Sequence, residues 1–305
     1  MNNYKVNTPV IFLTFNRPDT TQQVFDTIRQ VKPPILLVSS DGARKDKPRE
    51  TEKCAAVRKI IDTVDWNCEV IRNYSEENLG SYEKNSSSLT WAFNLVEEAI
   101  ILEDDCLPNI SFFRFCEELL DYYRHDEKIM LISGDNFQFN RQATKDSYYF
   151  SRYAHIWGWA SWRRSWQSVD LKMEKWSKFR DSKKLKTLFH NFQEYNYWNN
   201  IFENMYTGKR NFSWDYQLLL SSYMENQLSI IPNVNLVSNV GFGKQATNTK
   251  NNKSYLANIP KQEIKFPLQH PNYIVRNKQA DDFTYKTMFS LRSRAMRKVR
   301  SFINI

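Results

Sequence analysis

An α/β fold, built on a mostly parallel sheet flanked by helices, is what this 305-residue chain predicts, and three observations carry that expectation. Short apolar, β-branched runs alternate with amphipathic helical stretches as far as Ser133, the signature of strand-helix-strand units. Polar clusters follow three of those runs, where a parallel sheet gathers its ligand-binding loops. The composition, 41% hydrophobic and 25% charged, is that of an ordinary globular chain, which excludes disordered and fibrous classes.

The elements follow in order. TPVIFLTF (8 to 15) is the first strand, and RPDTTQQVFDTIRQV a helix with Val24, Ile28 and Val31 at i, i+4 and i+7 behind a Pro-Asp start. PPILLVSS (33 to 40) is the second strand, cut off by Asp41-Gly42. A polar helix spans about Pro48 to Val64, CEVIR (68 to 72) is strand three, and a turn over 77 to 80 leads into a helix through Trp91 and Val96. EEAIILEDD supplies strand four, Asn109 to Tyr123 a helix with Phe113, Cys116 and Leu120 on one side, and KIMLIS (128 to 133) strand five. Beyond residue 140 the alternation gives way to aromatic-rich helical segments and a polar Asn/Lys stretch over 247 to 254. Residues 1–140 and 141–260 thus read as two halves of one domain, and 261–305 as a basic extension.

Bulk properties narrow the classes of function. Nine Trp, sixteen Tyr and twenty Phe suit a ring-rich core or a site that stacks flat apolar faces. Cys54, Cys68, Cys106 and Cys116 form no CxxC pair, which points to reduced thiols in the cytoplasm rather than a zinc or redox site. No apolar run approaches the roughly 20 residues of a spanning helix. The net charge of +9 gathers in the tail. There Met288, Leu291, Met296, Val299 and Phe302 recur at helical spacing among Arg292, Arg294, Arg297, Lys298 and Arg300. Two readings fit: a basic amphipathic helix over 285–305 lying on the inner face of a membrane, or a terminal helix docked on the body. A nucleic-acid partner is not expected, because that would interleave Lys, Arg and rings through the body.

Chemistry points to the strand exits. Neither GxGxxG nor GxxxxGK[ST] occurs, which argues against dinucleotide-binding oxidoreductases and P-loop enzymes. Glu103-Asp104-Asp105, closing a short apolar run, would repel one another unless a positive group arrived; such a trio is a hard-oxygen site for Mg²⁺ or Mn²⁺ with substrate phosphates. Arg17, just before a helix N-terminus, is placed to fork onto a diphosphate. Asp41 could accept from a base N–H or a ribose hydroxyl, or simply serve an Asp-Gly turn. Trp157, Trp159, Trp162 and Trp166 offer rings for the core or a sugar-stacking wall, and Trp159 and Trp214 are the candidate stacking rings. Asp215 opens an apolar helical run; walled by Trp214, it would have its pKa raised by desolvation, which suits a general base.

Taken in order, TPVIFLTFNRP, VSSDG, ENLG, IILEDD, SGDN, WGWASWRRSW, SWDYQL and NVGFGKQATNT resemble metal-dependent GT-A glycosyltransferases, particularly the N-acetylglucosaminyltransferase I group and bacterial relatives that build surface polysaccharides. The resemblance covers roughly residues 8 to 249. It implies a Rossmann-like GT-A fold and a UDP-sugar donor, with transfer to a glycan or lipid-linked acceptor. By matching motif it implies Arg17 on the donor diphosphate, Asp41 on the base, Asp105 as the direct ligand of Mn²⁺ or Mg²⁺, and Glu103 and Asp104 on donor sugar and ribose. Asp215 takes the position of the catalytic base, consistent with inversion. Gly241 and Gly243 lie in the segment that closes over the donor. Two departures stand out: Asn248 replaces a His of the bacterial relatives, and Ser75 to Gly80 lacks the family's nucleotide-contacting His. The alternatives are a sugar nucleotidyltransferase, which would want a Gly-rich basic loop where NRPDTT stands, and a catalytically degenerate nucleotide- or glycan-binding protein.

Overall fold

The computed structural model of the chain describes residues 4–243 and 254–296. Its first part alternates β1 (Val10–Thr14), α1 (Pro18–Val31), β2 (Ile35–Ser40), α2 (Glu50–Ile61), β3 (Glu69–Tyr74), α3 (Ser81–Leu95), β4 (Glu98–Glu103), a short β5 (Cys106–Pro108), α4 (Ile110–Tyr122) and β6 (Ile129–Ser133). Next come β7 (Tyr148–Ser151), β8 (Trp159–Trp162), α5 (Arg163–Gln167), α6 (Trp176–Asp181), α7 (Lys184–Leu188), α8 (Phe192–Tyr206) and α9 (Trp214–Met224). The described residues close with β9 (Leu228–Pro232), β10 (Val237–Asn239), α10 (Lys278–Thr284) and a π-helical turn over Tyr285–Phe289.

Eight strands form one sheet in the order β3-β2-β1-β4-β8-β6-β9-β7. It is mostly parallel: of these eight, β8 and β7 alone run against the others. Helices cover both faces, which is why β1 and β6 are apolar almost throughout rather than alternating. Successive residues of β1 serve opposite faces, as a strand requires. Val10 and Phe12 pack under α1 and α4 with Val24, Phe25, Ile28 and Phe113. Ile11 and Leu13 meet Leu89, Phe93 and Leu218 of α3 and α9. A third, ring-rich cluster around Trp176, Trp198, Phe202 and Tyr223 joins the helices of the second half.

The structure departs from the sequence-based picture in two places. WGWASW, read among aromatic-rich helical segments, contains β8 instead, inserted antiparallel in the middle of the sheet with Ala160 opposite Ile100 and Ile132. Only four residues show the two-residue alternation, Trp159 toward one core and Ala160 and Trp162 toward the other, before α5 begins; that is too short a run to stand out. The tail is not one continuous stripe. The π-helical turn ends at an extended Ser290 before helix resumes over 291–296, so Met288 is buried while Leu291 and Met296 are exposed. Arg297, Lys298, Val299, Arg300 and Phe302 lie outside the described residues. Among those described, no helix is long and apolar enough to cross a membrane.

Candidate functional site

A cleft of about 340 Å³ opens at the carboxyl ends of β1, β2 and β4. Pro18 starts α1 directly after Arg17, leaving the Arg17 side chain free of any capping bond and pointed across the cleft floor. Its guanidinium forks: Nη1 donates to Asp105 Oδ2 at 2.8 Å, and Nη2 donates to Asp104 Oδ1. The backbone N–H of Phe15 donates to the other Asp104 oxygen at 3.1 Å. One cation thus answers two of the three consecutive carboxylates.

Glu103, at the end of β4, takes no hydrogen bond on its carboxyl from the described residues, and burial pushes its pKa up to about 8, with the charges of Asp105 and Asp104 adding to the rise. Burial also raises Asp104, to about 6, against the opposing pull of Arg17. Across the cleft Asp215 sits in the first turn of α9, its carboxylate accepting from the hydroxyl of the N-cap residue Ser213. Desolvation raises Asp215 too, partly offset by that hydroxyl, and its charge reaches Glu103. His155, packed edge-on against Phe137, is dropped to about 3 by burial, so it is a neutral core ring. The cleft lining therefore carries five carboxyls against three basic groups, Arg17, Arg44 and Lys84, and burial favours the protonated form of Glu103, Asp104 and Asp215.

Gly241 closes one side. The antiparallel pair β5 and β10, with Asn239 opposite Cys106, turns the chain back onto Asp105, where Val240 N–H donates to Asp105 O at 2.8 Å. A Cβ on Gly241 would stand 2.0 Å from Asp105 Oδ2 and 2.5 Å from Arg17 Nη1. Only a glycine allows the backbone to lie against the ion pair. Gly241→Ala is therefore expected to separate Arg17 from Asp105 and to cost about 1–3 kcal/mol of stability, read by urea denaturation. A Gly241→Ala variant as stable as the parent would show that the ion pair does not depend on this close approach. Gly243 is the last residue described before a segment, 244–253, that contains Asn248 and lies outside the described residues.

Asp41 lines the cleft, but its carboxylate is engaged by the chain itself. It accepts from the N–H groups of Gly42, Leu79 and Gly80 and from Asn78 Nδ2, all between 2.9 and 3.1 Å. It ties the end of β2 to the loop before α3, and Gly42 is needed there because a Cβ would meet the Glu77 backbone at 2.4 Å. The two candidate stacking rings also separate. Trp159 is buried in the core, stacked on Trp214 at 5.9 Å between centroids, and does not line the cleft, whereas Trp214 does. The reason is β8, which points Trp159 into the sheet face beneath α9.

Arg44, Lys84 and Trp157 complete the walls, and of these the sequence offered only Trp157, as one of four rings for the core or a sugar-stacking wall. Trp157 lines the cleft, its ring perpendicular to Phe137 and Phe242 at 5.1 and 5.7 Å, and its backbone N–H donates to Asp135 Oδ1 at 3.1 Å. Lys84 is buried, with Nζ donating to Asn73 O at 3.0 Å and to Ser75 Oγ at 2.9 Å. Arg44, also on the wall, is held by Glu50, which accepts as well from Asn16 Nδ2, and the Arg44 bonds hold the Glu50 pKa down at about 2. The signal for Lys84 was available, a lone Lys on the apolar side of a Ser-rich helix. Trp157 had none that distinguishes it from its neighbours.

Fold and site together define an α/β, Rossmann-like protein with an acidic cleft at the carboxyl edge of its sheet. No model of a known family matches the chain, and no curated protein matches it significantly.

Proposed function

We propose that the cleft takes a nucleoside-diphosphate sugar, a UDP-sugar above all, and transfers the sugar to a glycan or lipid-linked acceptor in the manner of a GT-A glycosyltransferase building surface polysaccharide at the inner face of the cell membrane. The observation that carries this reading is the meeting of Glu103, Asp104, Asp105, Arg17 and Asp215 in one cleft, from three separate parts of the chain. Among the described residues no three acidic, His or Cys side chains form a ready-made metal cage. Mg²⁺ and Mn²⁺ do not require one, since one or two carboxylates plus substrate phosphates suffice. Burial and the neighbouring carboxylates raise Glu103 and Asp104, and an added cation would oppose the repulsion among them.

Asp105, with Asp104 beside it, would hold the ion, and the ion would supply charge stabilisation to the departing diphosphate. Arg17 is a second positive group for that diphosphate, which would compete with the two carboxylates for its fork. Glu103, whose carboxyl is not engaged by the described residues, can accept from sugar hydroxyls. The acceptor hydroxyl must lose its proton as it attacks, and Asp215 is the residue suited to take it. Burial raises its proton affinity, and it lines the same cleft as Glu103; a base in this role would go with an inverting, single-displacement transfer. Trp157 and Trp214 offer apolar faces to the sugar.

Thermal denaturation with nucleoside diphosphates and nucleotide sugars, each with and without Mn²⁺, tests the proposal. A ligand at a hundred times its Kd stabilises the folded state by about 2.7 kcal/mol. The expected outcome is a rise in Tm with one nucleotide that depends on Mn²⁺ and disappears in Asp105→Ala. Absence of any shift across the whole set would overturn the reading.

A further inference from the structure

A second cleft, of about 490 Å³, lies between the loop after β6, the loop after β9 and residues 255–262. Its floor is a locked lattice of side-chain amides. Asn235 accepts from Asn136 N–H at 3.0 Å and donates to Val237 O at 2.9 Å; Asn136 Nδ2 donates to Pro232 O at 2.6 Å, and Asn233 Nδ2 to Thr144 O at 3.0 Å. Its rim is of the same chemistry but exposed: Asn140, Gln142, Asn258 and Gln262, of which Gln262 reaches Asn140 at only 3.4 Å. Phe139 and Tyr255 provide the apolar surface, their ring centroids 5.6 Å apart. Three of the lining residues hold left-handed backbones, Phe139 at φ 49, Asn140 at φ 65 and Asn258 at φ 53. For a bulky Phe that conformation is unfavourable and persists only where the surroundings impose it.

We infer that this second cleft binds a neutral oligosaccharide. Carboxamides donate and accept at once, as sugar hydroxyls do, and rings cover the C–H faces of a pyranose. Among the described residues no acidic side chain lines the cleft, so it does not suit a cation, and the one cation among them, Arg141, is laid 4.1 Å over the Phe283 ring. A phosphate or nucleotide would want a cluster of positive groups, which the described lining lacks. The volume falls within the range of small-molecule sites. The two clefts meet at Asn239, whose carbonyl accepts from Asn258 N–H at 3.1 Å and whose side chain accepts from Gly241 N–H at 2.9 Å. A glycan held at Asn258 therefore lies one residue from the wall of the acidic cleft. The inference stands on this second cleft alone and survives if the acidic cleft proves to take no nucleotide.

Saturation-transfer NMR on the full chain, with chitotriose, maltotriose and cellotriose as separate millimolar probes, tests it. Transfer to at least one probe is expected, weakened about tenfold in Phe139→Gly and in Asn258→Gly, as for loss of one ring or amide contact. Glycine takes φ 49 without strain, so Phe139→Gly removes the ring and keeps the fold, which its melting curve will verify. Transfer that persists in both variants, or that is lost only in Trp157→Ala, would place the sugar elsewhere and overturn the inference. So would absence of transfer from all three probes.

Discussion

Asp215→Asn is expected to slow the proposed sugar transfer by about 10²- to 10⁴-fold, the contribution a positioned general base makes. Asn keeps the shape and can still accept the hydrogen bond from Ser213 that now goes to Asp215 Oδ1. Nucleotide binding, read by the Mn²⁺-dependent rise in Tm, should therefore be unchanged while turnover collapses. The stability effect has the opposite sign. Desolvation raises the Asp215 pKa, so ionising this group disfavours the fold, and removing the charge should leave the variant at least as stable as the parent above the ordinary carboxylate range. The pH profile of the proposed transfer should carry a matching feature, a limb of activity that rises as the base ionises, displaced above the usual carboxylate range. An Asn variant with full turnover would remove Asp215 from the role.

Arg17→Met should produce the largest loss of stability. It leaves Asp104 and Asp105 in the cleft with Glu103 and without their guanidinium. Breaking a buried pair from one side costs about 3–5 kcal/mol, and the partial exposure of Arg17 sets the expectation at the lower end of that range. The pH dependence follows from the raised carboxyls. Glu103, pushed to about 8, and Asp104, to about 6, bind protons in the folded state that the unfolded chain has already released. Their contribution thus declines as pH rises from the ordinary carboxylate range through those values. Loss of Arg17 removes a group whose charge lowers both, so the deficit should be smaller at about pH 5 than at about pH 8. Urea denaturation at the two pH values measures it. An equal deficit at both would mean that Arg17 acts through packing and not through charge. Added Mn²⁺ should recover part of the loss at the higher pH, because the same carboxylates would then meet a cation.

The sheet's first half was legible because its signals are local. Val24, Ile28 and Val31 mark the buried stripe of α1 by spacing alone, and the runs at 10–14, 35–40 and 129–133 are apolar enough to be strands in any context. The polar residues at strand exits were also visible, since a charge that ends an apolar run is an anomaly wherever it occurs. Partnership was not. Arg17 and Asp105 are 88 residues apart, and nothing in either neighbourhood says that one guanidinium bridges Asp104 and Asp105. Asp41 looks from its sequence like a turn residue with a free carboxylate; only the fold brings Leu79 and Gly80 to it.

By itself, then, the sequence determined the alternating frame, the helices over each face and the edge of the sheet at which Arg17, Glu103, Asp104 and Asp105 emerge. Those follow from periodicity and charge along a few consecutive residues. Tertiary structure decided which ring reaches the cleft, by inserting β8 between β4 and β6 and so burying Trp159 while Trp157 stays on the wall. It decided too which carboxyls hold their protons, because desolvation and pairing depend on groups that the chain brings together from far apart.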